Sequence, residues 1–141
     1  MDFPIVFGLS AVLLIGTLLF AVISKTTSKN TAKRLNVDQY RSKCLAIENQ
    51  LKRDEISSYH LTVLNADKLV DQAMRESGSK GETMGERLKN SATKFSDVNG
   101  LWTAHKLRNR IAHESDIVVS YDEARSALSG FRKALKDLGA I

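Results

Sequence analysis

The stretch Leu101–Glu114, LWTAHKLRNRIAHE, contains the densest set of chemically versatile side chains in this 141-residue chain. At 3.6 residues per turn, its apolar residues predict a helix with one stripe that packs inward. The residues of that stripe are Ala104, Leu107 and Ile111, with Leu101 and Ala112 broadening it. Such a helix must pack against others, and the rest of the chain offers helical patterns for it to pack against.

The polar residues of this stretch fall on other faces of the same helix. His105, Asn109 and His113 are four residues apart and therefore line one stripe, with Trp102 beside them. Arg108 lies about 140° around the helix from His113. Because one flat face cannot present both groups, Arg108 and His113 can meet only in a groove over the helix end or across a dimer.

Arg108-Asn109-x-x-x-His113 resembles the R-x4-6-H signature of the HEPN superfamily, including the polar residue that often follows the arginine. HEPN domains are small helical bundles, and many are metal-independent endoribonucleases that act as dimers. The resemblance therefore implies a helical domain, an RNA substrate and a homodimer. Some HEPN toxins carry a tyrosine two residues after the histidine, where a partner enzyme modifies it. Ser115 stands there in this chain, so the resemblance does not extend to that regulation.

A wider pattern resembles that of small membrane-anchored bacterial proteins of unassigned function. It comprises NADKL at 65–69, GETMGERL at 81–88 and the stretch at 101–114, within a resemblance that covers roughly residues 37–138.

The residue types suit RNA cleavage without a metal. The 2′-OH of the substrate can attack the phosphorus if a proton shuttle and a cation assist it. The imidazole of His113 suits the first role and the guanidinium of Arg108 the second, while Asn109 can bind the phosphate or orient His113. The alternative is architectural: Asn109 simply pairs with a histidine, and Arg108 pairs with Asp67.

The charge distribution limits how RNA could bind. The net charge is +5, but four cations lie at positions 25–34, and from Val37 onward 17 Lys and Arg face 15 Asp and Glu. The domain is therefore not strongly basic, and RNA contact requires a local cluster.

The predicted binding residues lie in the same helix. Lys106 and Arg110 form the basic cluster with Arg108, and His105 and Trp102 complete the set. Trp102 either anchors the start of the helix or, if exposed, stacks on a base.

Asp67 falls within an apolar stripe that runs from Tyr59 to Met74, and Leu61, Leu64 and Leu69 are expected to widen that stripe. It is either a surface carboxylate beside Lys68 or a buried acid that orients Arg108 or a histidine. The second interpretation makes it a supporting residue of the site.

No metal site or cofactor is predicted. His105 and His113 are two turns apart, about 12 Å along the axis, which is too far for one ion. The single cysteine, Cys44, gives no thiol cluster and is expected to be a small buried residue.

Phe3–Ser24 contains 22 residues without a formal charge, long enough to span a bilayer as a helix. A cleaved signal peptide fits poorly, because no cation precedes the apolar core and no A-x-A site follows. The cations that follow place the C-terminal domain in the cytoplasm by the positive-inside rule. We therefore expect a single-pass protein of the cell membrane, with the lipid bilayer as a partner.

Helix signals divide the remaining chain into short elements. Asp54, Thr83 and Ser120 are predicted N-caps, Asp97 or Asn99 caps the central helix, and Gly78 and Gly139 end two others. The glycines of SGSKGETMG lack the spacing of a phosphate loop and are assigned to helix ends.

The expected fold is all-α, with a transmembrane anchor (1–24), a basic juxtamembrane linker (25–36) and a four- to five-helix antiparallel HEPN-like bundle (37–141). Two functions remain open: a membrane-tethered endoribonuclease, or a non-catalytic module that dimerises or binds a partner at the cytoplasmic membrane face.

Overall fold

A computed structural model of the chain describes residues 15–17 and 34–141. From residue 34 onward the described chain belongs to one unit. Its helices are α1 (Val37–Glu48), α2 (Ile56–Glu76), α3 (Met84–Asn90), α4 (Val98–His113) and α5 (Tyr121–Asp137), and a 3-10 turn (Ala92–Lys94) precedes α4. No strand occurs in these described ranges, which confirms the all-α class for them.

The predicted transmembrane anchor lies outside the described residues except for 15–17, which are helical. The predicted linker also lies outside them up to residue 33. Within the part of the chain that the structure describes, no helix is both long enough and apolar enough to cross a membrane.

Helix α2 is the centre of the bundle, since it contacts each of the other four α-helices, and α4 also packs on α5. Every helix contributes a large side chain that is almost fully buried, namely Tyr40, Met74, Leu88, Leu101 and Phe131. Burial of such side chains stabilises the bundle by roughly 1.5–3 kcal/mol each. The contact of α2 with α4 brings Asp67 to the central stretch.

Most predicted helix ends are confirmed. The Asp97 side chain accepts a hydrogen bond from the Gly100 N–H at 2.9 Å, and Ser120 forms a reciprocal capping box with Glu123. Gly78 follows α2 with φ of 79°, the left-handed conformation that glycine adopts at low cost.

Two predictions about α2 are wrong. Asp54 does not cap the helix, because Glu55 occupies the N-cap position and Asp54 has φ of 69°. In this left-handed turn, the backbone N–H of Asp54 donates to the hydroxyl of Tyr59 at 2.9 Å. Leu61, expected to widen the apolar stripe, is 50% exposed.

Candidate active site

Asp67 is a buried carboxylate between α2 and α4. It is 4% exposed, and its Oδ1 lies 2.7 Å from Nδ1 of His105. Its Oδ2 lies 3.3 Å from Nε of Arg108. A buried carboxylate is tolerated only when it has an ionic partner and hydrogen bonds. Helix α4 supplies Arg108 as the ionic partner and His105 as the hydrogen-bonding partner, three residues apart on one face. Asp67 thus has the contacts expected of a buried acid, with a histidine and with Arg108 at once.

Asn109 closes a ring with these three residues. Its Nδ2 lies 3.3 Å from Nε2 of His105, and its Oδ1 accepts a hydrogen bond from Nη1 of Arg108 at 3.0 Å. Because a carboxylate accepts and an amide NH2 donates, the ring requires the imidazole proton on Nδ1 and the lone pair on Nε2. Each member therefore fixes the orientation of the next.

The Arg108 guanidinium is held on one side only. Its Nε lies within ion-pair distance of Asp67 but lacks the alignment of a hydrogen bond. The Arg108 side chain is 36% exposed, whereas those of Asp67 and His105 are 6% and 9% exposed. The buried carboxylate anchors the inner edge of the guanidinium, and the outer edge remains accessible to a ligand.

The ring forms one wall of a cavity of about 690 Å³, which we call the Trp102 cavity. Its lining includes Asn65, Asp67, Lys68, Gly85, Trp102, His105, Arg108 and Asn109. The indole of Trp102 meets the imidazole of His105 edge to face, with ring centroids 6.0 Å apart. Trp102 is partly buried against the core, so it both anchors the helix and faces the cavity.

The three separate segments of the wider sequence pattern all reach this cavity. Segment 65–69 contributes through α2, segment 81–88 through the start of α3, and segment 101–114 through α4. An ion pair also joins α3 to α2 at this cavity: Nη2 of Arg87 lies 2.6 Å from Oδ1 of Asp71, which is one of the lining residues. Arg87 also donates to the carbonyl oxygens of Gly81 and Glu82, so it fixes the loop before α3.

The remaining predicted residues lie elsewhere. Lys106 and Arg110 line a second groove of about 490 Å³ between α4 and α5, rather than the Trp102 cavity. His113 is exposed in the last turn of α4 and lines neither of these two cavities. Within one copy of the described chain, Arg108 and His113 do not share a cavity.

Asn65, Lys68 and Gly85 are among the residues that line the Trp102 cavity but were not predicted as site residues. Lys68 is exposed at its edge, Asn65 is partly buried and donates to Gln50 at 3.0 Å, and Gly85 contributes backbone only. Asn65 and Lys68 are two and one residues from Asp67, and residues at these helical spacings do not share a face, so a buried Asp67 did not indicate them. Gly85 had no chemical signal of its own.

Among the residues that the structure describes, no group of three or more His, Cys, Asp or Glu side chains could hold a metal ion.

Comparisons with family models, with curated proteins and with solved structures found no match for this chain. The resemblance to HEPN domains thus depends on the Arg108–His113 motif and its helical context.

Proposed function

We propose that this protein is a membrane-tethered, HEPN-like endoribonuclease that cleaves RNA without a metal, with Arg108 and His113 as its catalytic pair. The observation that carries the proposal is the arrangement of Arg108. A buried carboxylate, Asp67, lies 3.3 Å from its Nε, while more than a third of the side chain is exposed at a cavity. A guanidinium held in this way is suited to bind a phosphate.

The free edge of Arg108 supports the phosphate role. Nε faces Asp67 and Nη1 donates to Asn109, whereas Nη2 forms no hydrogen bond or ion pair with the described residues. Guanidinium N–H groups bind phosphate oxygens in a fixed planar geometry. Their charge would stabilise the extra negative charge on phosphorus in the transition state.

The exposure of His113 supports its role as proton shuttle. Its side chain lies in solvent at the end of α4, where it can approach a substrate. In the reaction it assists removal of the 2′-OH proton as the 2′-oxygen bonds to phosphorus. The bond from phosphorus to the 5′-oxygen breaks, and that oxygen takes up a proton. The products are a 2′,3′-cyclic phosphate and a 5′-hydroxyl.

A dimer would unite the two groups. Arg108 and His113 are about 140° apart around α4, and His113 does not line the Trp102 cavity. We therefore propose that Arg108 of one copy acts with His113 of a second copy, related by a twofold axis.

The test is a cleavage assay with the full chain in detergent micelles, on structured and unstructured RNA. Wild type should cleave in excess chelator and leave 2′,3′-cyclic phosphate ends. His113→Ala should lose cleavage with an unchanged far-ultraviolet circular dichroism spectrum, since alanine favours the helix. Equal rates for wild type and His113→Ala would overturn the enzyme proposal.

One observation favours a second candidate, a non-catalytic module that dimerises or binds a partner. The ring of Asp67, His105, Asn109 and Arg108 satisfies much of its own hydrogen bonding. A purely structural Arg108 would account for that ring equally well. If the protein is such a module, wild type should not cleave RNA but should still self-associate or bind its partner.

The tether is part of the same proposal. The uncharged Phe3–Ser24 segment, followed by cations, would anchor the chain with residues 37–141 in the cytoplasm. Protease added outside intact cells should leave that domain uncut. Extensive digestion of the domain by that protease would contradict the proposed orientation.

A further inference from the structure

We propose that the Trp102 cavity binds a single nucleobase of the RNA strand, with Trp102 as its stacking surface and Lys68 as its phosphate contact. This inference rests on the proposed function, because RNA is the ligand from which the base would come. It adds a base-binding site that adjoins the catalytic Arg108, which lines the same cavity, and it would make cleavage dependent on the identity of a neighbouring base.

The size of the cavity fits such a ligand. Its volume of about 690 Å³ lies within the roughly 300–1,000 Å³ of small-molecule sites. Trp102 is the only tryptophan of the chain and is partly exposed in this cavity. An indole offers a flat surface for any base, and stacking of this kind is common in proteins that bind single strands.

Gly85 keeps the space beside the indole open. A Cβ atom at Gly85 would lie 3.7 Å from Cη2 of Trp102 and 3.9 Å from Nε2 of His105. An alanine therefore fits at ordinary contact distance, whereas a longer side chain would extend toward the two rings. This difference provides a matched pair of variants at one position.

The charges of the cavity favour an anionic ligand. The carboxylate of Asp67 faces His105 and Arg108, and that of Asp71 faces Arg87. Lys68 is exposed at the cavity and forms no ion pair with the described residues. With its acids already paired, the cavity offers the Lys68 ammonium and the outer edge of Arg108 to a phosphate.

The test uses the full chain in detergent micelles and fluorescein-labelled tetranucleotides whose 2′-oxygens are methylated. These probes lack the nucleophile, so binding is measured without cleavage. One probe carries four adenines, one carries four uracils and one has no bases. Fluorescence anisotropy gives the affinity, and quenching of Trp102, the single tryptophan, reports whether a base reaches it.

We expect saturable quenching by at least one base-bearing probe and binding at least roughly tenfold tighter than that of the baseless probe. Gly85→Leu should weaken that binding roughly tenfold, and Gly85→Ala should leave it unchanged. Lys68→Ala should weaken the binding of all three probes more than Lys89→Ala does, because Lys89 is an exposed lysine outside the cavity.

Several results would overturn the inference. They are equal affinity for base-bearing and baseless probes, no quenching of Trp102, or equal binding by Gly85→Leu and Gly85→Ala. If Gly85→Leu is unfolded by circular dichroism, Trp102→Leu takes its place, with anisotropy as the readout. Because the methylated probes cannot be cleaved, base binding is measured independently of catalysis, and failure of base binding and failure of the proposed cleavage are separate outcomes.

Discussion

Asp67 and His105 lie 38 residues apart in the sequence, yet Oδ1 of the first is 2.7 Å from Nδ1 of the second. Both side chains are almost fully buried where α2 packs on α4. This contact fixes the rotation of α4 relative to α2 and thereby determines which polar residues of α4 face the Trp102 cavity. It also places Asp67 next to Arg108, since the two partners are three residues apart on α4.

Replacement of Asp67 by asparagine should damage both stability and activity. The amide can still accept from His105, but its NH2 would face the Arg108 guanidinium, donor against donor. We expect a loss of about 1–3 kcal/mol in the free energy of unfolding. RNA cleavage should fall roughly ten- to hundredfold because Arg108 is misplaced.

Urea denaturation and the cleavage assay measure these two effects of Asp67→Asn. Asp116→Asn is the matched control, since Asp116 is exposed in the loop after α4. Equal stability and equal cleavage rates for the Asp67 and Asp116 variants would contradict the role of Asp67 in positioning Arg108.

Helix ends were predictable where a short polar side chain caps the backbone N–H groups of the helix or where a glycine adopts the left-handed conformation after it. Asp97, Ser120 and Gly78 act within four residues of their own position, so their neighbours in sequence determine the outcome. Asp54 was misassigned because its backbone N–H bonds to Tyr59 in a left-handed turn. That turn depends on how α1 approaches α2, which local patterns do not contain.

The candidate site was predictable in its residue types and only partly in its geometry. Helical spacing placed His105 and Asn109 on one stripe, and the apolar surroundings of Asp67 suggested its burial. The separation of Lys106 and Arg110 from the Trp102 cavity was not foreseen. It depends on the position of α5, whose packing on α4 creates a second groove around those cations.

The capping box of α5 should make stability depend on pH. The backbone N–H and the hydroxyl of Ser120 both donate to Glu123, and these hydrogen bonds lower the pKa of its carboxyl. A lowered folded-state pKa means that the stabilisation is fully present above the ordinary value of 4.5 and is lost as pH falls through the lowered value.

The comparison of wild type with Glu123→Gln tests this capping effect. We expect the difference in unfolding free energy to be largest near neutral pH and to shrink in acid. Urea denaturation at a series of pH values measures it, with the exposed Glu114→Gln as control. A difference that is constant between neutral and acidic pH would contradict the assignment.

Two glycine-to-alanine changes should have opposite effects. Gly81 has φ of 145°, and a Cβ there would lie 2.6 Å from the backbone nitrogen of Arg87, so Gly81→Ala should destabilise the protein by roughly 1–3 kcal/mol. Gly85 is helical with nothing closer than 3.7 Å, so Gly85→Ala should be neutral or stabilise by up to about 1 kcal/mol. Thermal unfolding of both variants measures the contrast. A stabilising Gly81→Ala would show that the loop before α3 is not constrained as described.

Cys44 should react slowly in the folded protein. Burial, and then the nearby carboxylate of Glu48, raise the pKa of its thiol, so little thiolate is present near neutral pH. Alkylation by iodoacetamide at pH 8 should be roughly tenfold or more slower than in urea. Mass spectrometry of timed samples measures both rates, and equal rates would contradict the burial of Cys44.

The most direct measurement mixes two inactive variants. If Arg108 of one copy acts with His113 of another, a heterodimer of Arg108→Lys and His113→Ala retains one complete site out of two. Arg125→Lys, an exposed arginine on α5, controls for the loss of a surface guanidinium and should cleave as wild type does. We predict little RNA cleavage by either variant alone, because an ammonium cannot replace the bidentate guanidinium. After equilibration, the equimolar mixture should recover about a quarter of wild-type activity, in the presence of chelator. No recovery on mixing, or no cleavage by wild type, would contradict the account.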